Sequence, residues 1–149
     1  MKPEGDRILG LSVERLTTAV APLVGQSFGQ GQIGLIGFMM TLVAHEYERG
    51  ADLRATENND IRILLSALAP AVADASLKKR VEDAAQCNET SLKISALNET
   101  NYALRRTLTE LHAHVETLTG AQAKDAEQKI WTLLRKIADK RLVSLAPSP

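Results

Sequence analysis

The sequence predicts an all-α protein, a four-helix up-down bundle in a single domain that covers residues 1–149. Leucine recurs once per heptad at Leu97, Leu104, Leu111 and Leu118, with apolar residues halfway between, as on the packing face of a helix. The chain is 44% apolar but only 3% aromatic, so its core must be built from aliphatic side chains, which suits helices. A length of 149 residues is enough for one domain with a real core.

The first two predicted helices cover residues 7–24 and 32–69. Asp6 is placed to cap the first helix. Glycines punctuate residues 25–37, and the segment 26–31 is expected to be a loop. Pro70 should end the second helix, because proline disfavours helical geometry in the residue before it.

The middle of the second predicted helix has a polar stretch on its inward side. Counted from Ile36, the inward positions become polar near Arg54 and Glu57 and turn apolar again at Ile61. Two interpretations remain open: either the helix breaks near Asn58 and the phase is reset, or the polar residues face a partner helix.

The last two predicted helices cover residues 77–119 and 121–145. Ser76 is placed as the N-cap of the third helix, and Gly120 separates it from the fourth. The two long central helices, residues 32–69 and 77–119, are expected to form an antiparallel hairpin flanked by the two shorter ones.

The leucine repeat defines what we call the heptad seam, a candidate interaction face. It consists of Ile94, Leu97, Asn101, Leu104, Leu108, Leu111, Val115 and Leu118. The residues that flank it are mostly uncharged, which favours a face shared by several helices over an isolated two-stranded zipper. A homodimer remains compatible, because a polar Asn at a seam position fixes register and partner. Asn101 would then meet Arg54 or Glu57, or its own copy.

Charge and cysteine content restrict partners and location. Eighteen basic and eighteen acidic residues give no net charge, so nucleic acid is not an expected partner. The apolar run at residues 33–44 is too short to cross a bilayer, so no membrane partner is expected either. A single cysteine and no secretory leader pattern predict a cytoplasmic protein.

Two patterns resemble ligand sites. The glycines between Gly29 and Gly34 match a dinucleotide fingerprint, but no strand precedes them. His45, Glu48 and Asp52 lie on one helical face and form a candidate metal site, with a solvated, ion-paired face as the alternative. The patterns identify no catalytic residue, and no cofactor is expected.

Residues 97–104 resemble a segment of a known family. Leu97, Asn98 and Asn101 match the Leu-Asn-x-x-Asn pattern in a late helix of flagellar export chaperones that hold hook-filament junction proteins. The whole chain is also similar in layout to small all-helical bacterial proteins of unassigned activity, through residues 42–65 and 91–116. The first resemblance implies a chaperone that binds a partner protein.

Three functions are compatible with these patterns. The first is a non-catalytic helical scaffold or interaction protein that self-associates. The second is an export chaperone or adaptor that presents a groove to a partner helix. The third is a metal- or ligand-binding helical bundle. An enzyme is not the preferred interpretation.

Overall fold

A computed structural model describes residues 4–24 and 27–142. In these ranges the chain forms five α-helices and no β-strand. The helices are α1 (Gly5–Arg15), α2 (Ser27–Leu68), α3 (Ala75–Gln86), α4 (Ile94–Glu116) and α5 (Ala121–Arg141). A π-helical turn (Leu16–Val20) and a 3-10 turn (Ala21–Leu23) follow α1, and a second 3-10 turn (Ala69–Ala71) follows α2. The all-α prediction is confirmed.

The contacts divide the chain into two compact units. Of the described residues, 4–24 and 27–50 belong to the N-terminal unit, and 51–142 form the C-terminal unit. The boundary falls within α2, which is helical on both sides of it. None of the described helices is both long and apolar enough to cross a membrane.

In the N-terminal unit, α1 packs antiparallel to the first part of α2. Gly5 at the start of α1 lies against the ring of Tyr47, and Gly37 lies against the side chain of Val13 near the end of α1. Residue numbers therefore increase along α1 in the direction in which they decrease along α2. The first helix begins at Gly5 rather than Arg7, and Asp6 lies in its first turn, where a negative charge suits the helix dipole. The α-helix ends at Arg15 and is followed by the π-helical turn. Pro22, in the 3-10 turn after it, lacks the backbone N–H that a helical hydrogen bond would need.

The second helix begins five residues earlier than residue 32, at Ser27. Gly29 and Gly31 are therefore helical, so the loop predicted for residues 26–31 is wrong over residues 27–31. Residues 25 and 26 lie outside the described part. Gly29 lies so close to Val24 that a Cβ atom would have no room. This close approach explains why a glycine is present at position 29, although glycine is a poor helix former. The dinucleotide fingerprint accordingly lies within a helix.

The long helix expected at residues 77–119 is in fact two helices, α3 and α4, separated by residues 87–93. Cys87 is extended, with ψ 149°. In the connection, Asn88 donates to the carbonyl of Gln86, and the hydroxyl of Ser91 accepts from the N–H of Lys93. Such side-chain bonds compete with the helical ladder, so a segment rich in Asn and Ser leaves the helix. The cap of α3 is Asp74, not Ser76, and its carboxylate accepts from the N–H of Leu77.

The break also reverses the expected direction of residues 94–116. Hydrogen-bonded pairs of α2 and α4 are 44 residues apart both for Arg54 with Asn98 and for Glu57 with Asn101. A constant separation means that the two helices run parallel, so the antiparallel hairpin predicted for them is wrong. By contrast, Glu57 pairs with Arg141 and Asp60 with Lys136, so α2 and α5 run antiparallel.

The hydrophobic core described by the structure belongs to the C-terminal unit. It combines the second part of α2, the turn after it, α3, α4 and α5. Its buried members are Ile61, Leu64, Leu65, Leu68, Ala69, Val72, Leu77, Val81, Leu104, Leu108, Leu111, Val115, Ala126, Ile130, Leu133 and Ile137. Gly120 has a φ of 106°, which favours glycine, and connects α4 to α5. The fourth helix was expected to reach residue 145, but α5 ends at Arg141, and residues 143–145 lie outside the described part.

Candidate functional site

The heptad seam lies in the C-terminal unit, and most of it is covered by the chain's own helices. Ile94 and Leu118, at its two ends, are 38% and 41% exposed. The remaining six residues are buried: Leu97, Asn101, Leu104, Leu108, Leu111 and Val115. Five of these six are aliphatic, so Asn101 is a polar group inside an apolar face and needs hydrogen-bond partners.

Asn101 finds both of its partners on α2. Its side-chain amide nitrogen donates to Glu57 Oε1 at 2.8 Å and to Asn58 Oδ1 at 2.9 Å. The helix does not break near Asn58, which is completely buried. The polar stretch of α2 therefore faces a partner helix, the second of the two interpretations left open by the sequence.

Glu57 is the centre of this polar cluster. Although it is only 5% exposed, its Oε1 accepts from Arg105 Nε at 2.7 Å as well as from Asn101. Its Oε2 accepts from Arg141 Nε at 3.0 Å and from Arg141 Nη2 at 2.7 Å. One carboxylate thus connects α2 with α4 and α5. We call Glu57, Asn58, Asn101, Arg105 and Arg141 the Glu57 network.

Asn58 extends the network to the connection between α3 and α4. Its amide nitrogen donates to the backbone carbonyl of Leu97 and to Glu89 Oε1, each at 3.2 Å. Glu89 Oε1 also pairs with Arg62 Nη2 at 2.7 Å, and Arg62 Nε lies 3.5 Å from the sulfur of Cys87. The break at residues 87–93 therefore places Glu89 where it can accept from both Arg62 and Asn58.

The environment lowers the pKa of both glutamates. Burial raises the pKa of Glu57, but hydrogen bonds from Asn101, Arg141 and Arg105 outweigh it, and the pKa ends below its ordinary value. For Glu89, burial likewise raises the pKa, and the hydrogen bond from Arg62 is the largest of the opposing effects that bring it below its ordinary value. Both side chains are consequently charged in the folded protein at neutral pH.

The geometry of Glu57 suits a structural role rather than acid-base chemistry. A general base needs an oxygen within reach of a substrate proton and a pKa near the working pH. Both oxygens of Glu57 already accept hydrogen bonds from the protein, and its pKa is lowered. The network therefore serves to hold three helices in register.

A second carboxylate on α2 strengthens the contact with α5. Asp60 Oδ1 pairs with Lys136 Nζ at 2.9 Å, while Asp60 Oδ2 lies 3.6 Å from Lys140 Nζ, an ion pair too long for a hydrogen bond. The basic residues near the end of α5 can be explained from sequence by the helix dipole alone. Three of them, including Arg141, instead pair with carboxylates of α2.

Within residues 4–24 and 27–142, the structure contains no group of three or more His, Cys, Asp or Glu side chains arranged to hold a metal ion. The metal site proposed at His45, Glu48 and Asp52 gains no support from that geometry. His112 and His114, the other two histidines, lie on α4. His112 contacts Trp131 edge to face, with ring centroids 5.4 Å apart.

The N-terminal unit carries a different candidate site, an exposed apolar helical surface. No large apolar side chain is buried among residues 4–24 and 29–50, the part of the unit for which side-chain burial is described. Ten are clearly exposed: Ile8, Leu11, Val20, Leu23, Leu35, Ile36, Phe38, Met39, Val43 and Tyr47. We call these ten residues the apolar surface. Large exposed apolar patches mark interaction sites in soluble proteins, so a segment that exposes this many large apolar side chains is a candidate interaction site.

One feature of the sequence, a long run without charged residues, indicates the apolar surface. Residues 16–44 contain no Asp, Glu, Lys, Arg or His. Nearly all of this segment is helical in the structure, so it forms helix surface without any charged side chain. The solvent-facing side of a helix ordinarily carries charged side chains, so a charge-free helical segment is unusual for a surface exposed to water.

Comparisons of this chain with protein-family models, with curated proteins and with solved structures found no match.

Proposed function

We propose that this chain is a non-catalytic interaction protein, in which the C-terminal unit is a rigid scaffold and the N-terminal unit binds a protein partner. The observation that carries this proposal is the uneven distribution of apolar side chains. Residues 4–24 and 29–50 of the N-terminal unit expose ten large apolar side chains and bury none, whereas the C-terminal unit has a core of sixteen buried residues. A stable core needs no partner, but an exposed apolar helix surface does.

For the scaffold, we propose an up-down four-helix bundle made of the second part of α2 with α3, α4 and α5. The parallel pairing of α2 with α4 and the antiparallel pairing of α2 with α5 support this arrangement. Alternating directions follow when short connections join successive helices. This bundle differs from the predicted one, because α1 is not part of it and α3 and α4 replace a single long helix.

Oxidative footprinting tests whether a protein covers the apolar surface. Hydroxyl radicals modify exposed Met and Tyr side chains, and Met39 and Tyr47 are 57% and 63% exposed. Tyr102, 67% exposed on α4, is the matched control for Tyr47. Modification would be compared between dilute purified protein and extract of the natural host cells, with the oxidised peptides quantified by mass spectrometry.

If the proposal is correct, Met39 and Tyr47 are modified in dilute purified protein and protected in the extract, while Tyr102 reacts equally in both. Protection that disappears after the extract is digested with protease identifies the covering molecule as protein. Equal modification of Met39 and Tyr47 in dilute purified protein, in concentrated purified protein and in extract would contradict an interaction role for this surface.

A further inference from the structure

One end of the C-terminal unit contains a cavity that is separate from the apolar surface. It lies where the turn after α2, the end of α4 and the start of α5 meet, and its volume is about 320 Å³. Protein interiors are close-packed, and voids much larger than a water molecule are few. A cavity of this size is therefore a candidate site for a small molecule.

The floor of the cavity is apolar, and its mouth is polar. Five wall residues belong to the hydrophobic core and are at most 7% exposed: Leu68, Val72, Leu111, Val115 and Ala126. Exposed polar residues at the mouth are Thr117, Thr119 and Gln122. None of the wall residues that the structure describes is Asp, Glu, Lys or Arg. This wall suits an uncharged molecule, because an ion would leave water without a partner of opposite charge.

His114 provides an unpaired hydrogen-bonding atom in the wall. Its Nε2 is buried and has no hydrogen-bond partner among the described residues, although a buried polar atom without a partner is costly. Two other buried side-chain atoms share this condition, but each lies 3.6 Å from an ionisable group: Asp60 Oδ2 from Lys140, and His112 Nε2 from Glu116. Turning the His114 ring about its Cβ–Cγ bond can bring Nε2 to the cavity and breaks no hydrogen bond of this atom. A molecule in the cavity would then supply its partner.

The volume and the imidazole together define the class of ligand. A cavity of about 150 Å³ with an apolar wall binds benzene, so a cavity of about 320 Å³ admits a molecule of roughly ten non-hydrogen atoms. A neutral imidazole has one donor and one acceptor nitrogen, and a hydroxyl group can pair with either. A carboxylate suits the cavity less well, because none of its described wall residues is basic in the manner of Lys or Arg.

We infer that this cavity binds a small uncharged phenol or alcohol, with its apolar body against the core residues and its hydroxyl group on His114. The ligand-binding role proposed from the sequence is thereby given a location different from His45, Glu48 and Asp52. The inference goes beyond the proposed function and does not depend on it, because a scaffold that holds a small molecule can still bind a protein through the apolar surface.

Two matched compounds test the inference by NMR titration of the full chain with labelled methyl groups. 4-Ethylphenol and 4-ethyltoluene have the same number of non-hydrogen atoms, and only the first has a hydroxyl group. The titration is made at about pH 8, where an imidazole is ordinarily neutral. We expect 4-ethylphenol to shift the methyl signals of Leu68, Val72 and Leu111, and not those of Val81, a core residue outside the cavity wall. No shift of the three wall residues with 4-ethylphenol would overturn the ligand site.

His114→Phe tests the hydrogen bond, because phenylalanine keeps a ring in the wall and removes both nitrogens. A ligand hydroxyl that is buried without its partner is costly. We expect the Kd of 4-ethylphenol to rise about tenfold or more in this variant, and that of 4-ethyltoluene to change by less than about threefold. An equal change for the two compounds would overturn the role given to His114.

Ala123→Leu tests the location of the ligand in a way that a folding defect cannot imitate. Ala123 is a wall residue, and leucine is a good helix former that fills part of the cavity, so the thermal stability of the variant should equal or exceed that of the wild type. The Kd of 4-ethylphenol should rise more than about tenfold, because the added side chain occupies its volume. Ala138→Leu makes the same change at an exposed position of α5 outside the wall and should leave this Kd unchanged. A wild-type Kd in Ala123→Leu, or an equal rise in Ala138→Leu, would overturn the proposed location.

Discussion

Replacing Asn101 with aspartate tests the polarity of the Glu57 network with almost no change in volume. The amide nitrogen of Asn101 donates to Glu57 Oε1 and Asn58 Oδ1, and the residue is 3% exposed. An ionised aspartate has no donor to offer. It would also place a second carboxylate within hydrogen-bond distance of Glu57, where two negative charges repel strongly.

Protonation limits the cost of this substitution. The new carboxyl group can take up a proton, and keeping it at pH 7 on a group with an ordinary pKa of about 3.9 costs about 4 kcal/mol. The protonated acid restores one of the two hydrogen bonds, and the loss of the other costs about 1 kcal/mol. We therefore expect Asn101→Asp to lower the free energy of unfolding by about 3 to 5 kcal/mol at pH 7, and by about 2 to 3 kcal/mol less at pH 5.

Asn98→Asp is the matched control, because it makes the same change of charge one helical turn earlier. Asn98 Oδ1 already accepts from Arg54 Nε at 2.6 Å, so a carboxylate there gains a charged partner. Urea denaturation at pH 7 and pH 5, followed by circular dichroism, measures both variants. The reasoning would be refuted if Asn101→Asp cost less than about 1 kcal/mol, if its cost did not depend on pH, or if Asn98→Asp cost as much.

Two further predictions concern the core and the acid limit of stability. Leu104 is 1% exposed, so Leu104→Ala should lower the free energy of unfolding by about 2 to 5 kcal/mol. Leu92 is 73% exposed, and Leu92→Ala should lower it by less than about 0.5 kcal/mol. Equal losses for the two variants in urea denaturation would mean that Leu104 is not in the core. The pKa values of Glu57 and Glu89 are lowered from an ordinary 4.5, so in acid the unfolded chain takes up protons before the folded one does. Their stabilisation is complete above pH 4.5 and is lost as the pH falls through the lowered values. Glu57→Gln removes one of the two groups, so the stability of this variant should fall less steeply with acid; a slope equal to that of the wild type would argue against the role given to Glu57.

The periodic part of the fold was predictable because it depends on local pattern. The leucine spacing predicts the buried side of α4. The polar positions of α2 allow either a break near Asn58 or a polar face toward a partner helix, and the structure has the second. Asn101 was expected to meet Arg54, Glu57 or its own copy, and it meets Glu57. A buried polar residue must be paired, so an isolated Asn in an apolar repeat predicts a partner even when the partner is unknown.

The direction of α4 was not predictable in the same way. The apolar pattern continues through residues 87–93 with only a shift in phase, so it predicts no break there. The hydrogen bonds that end the helix in this segment are made by Asn88, Ser91 and Glu89. One of these hydrogen bonds joins Glu89 to Arg62, 27 positions earlier in the chain, and it favours the break. Periodicity carries no information about such distant pairs.

The pairing of Glu57 with Arg141 also has a consequence for the kinetics of folding. The two residues are 84 positions apart, whereas a short turn connects α4 to α5. Bringing distant segments together costs more chain entropy than closing a short turn, so α5 is expected to dock on α2 late. An interaction that forms after the rate-limiting step slows unfolding and leaves the folding rate almost unchanged. Breaking the Glu57–Arg141 pair should therefore shorten the lifetime of the folded chain and leave the speed of its formation almost unchanged.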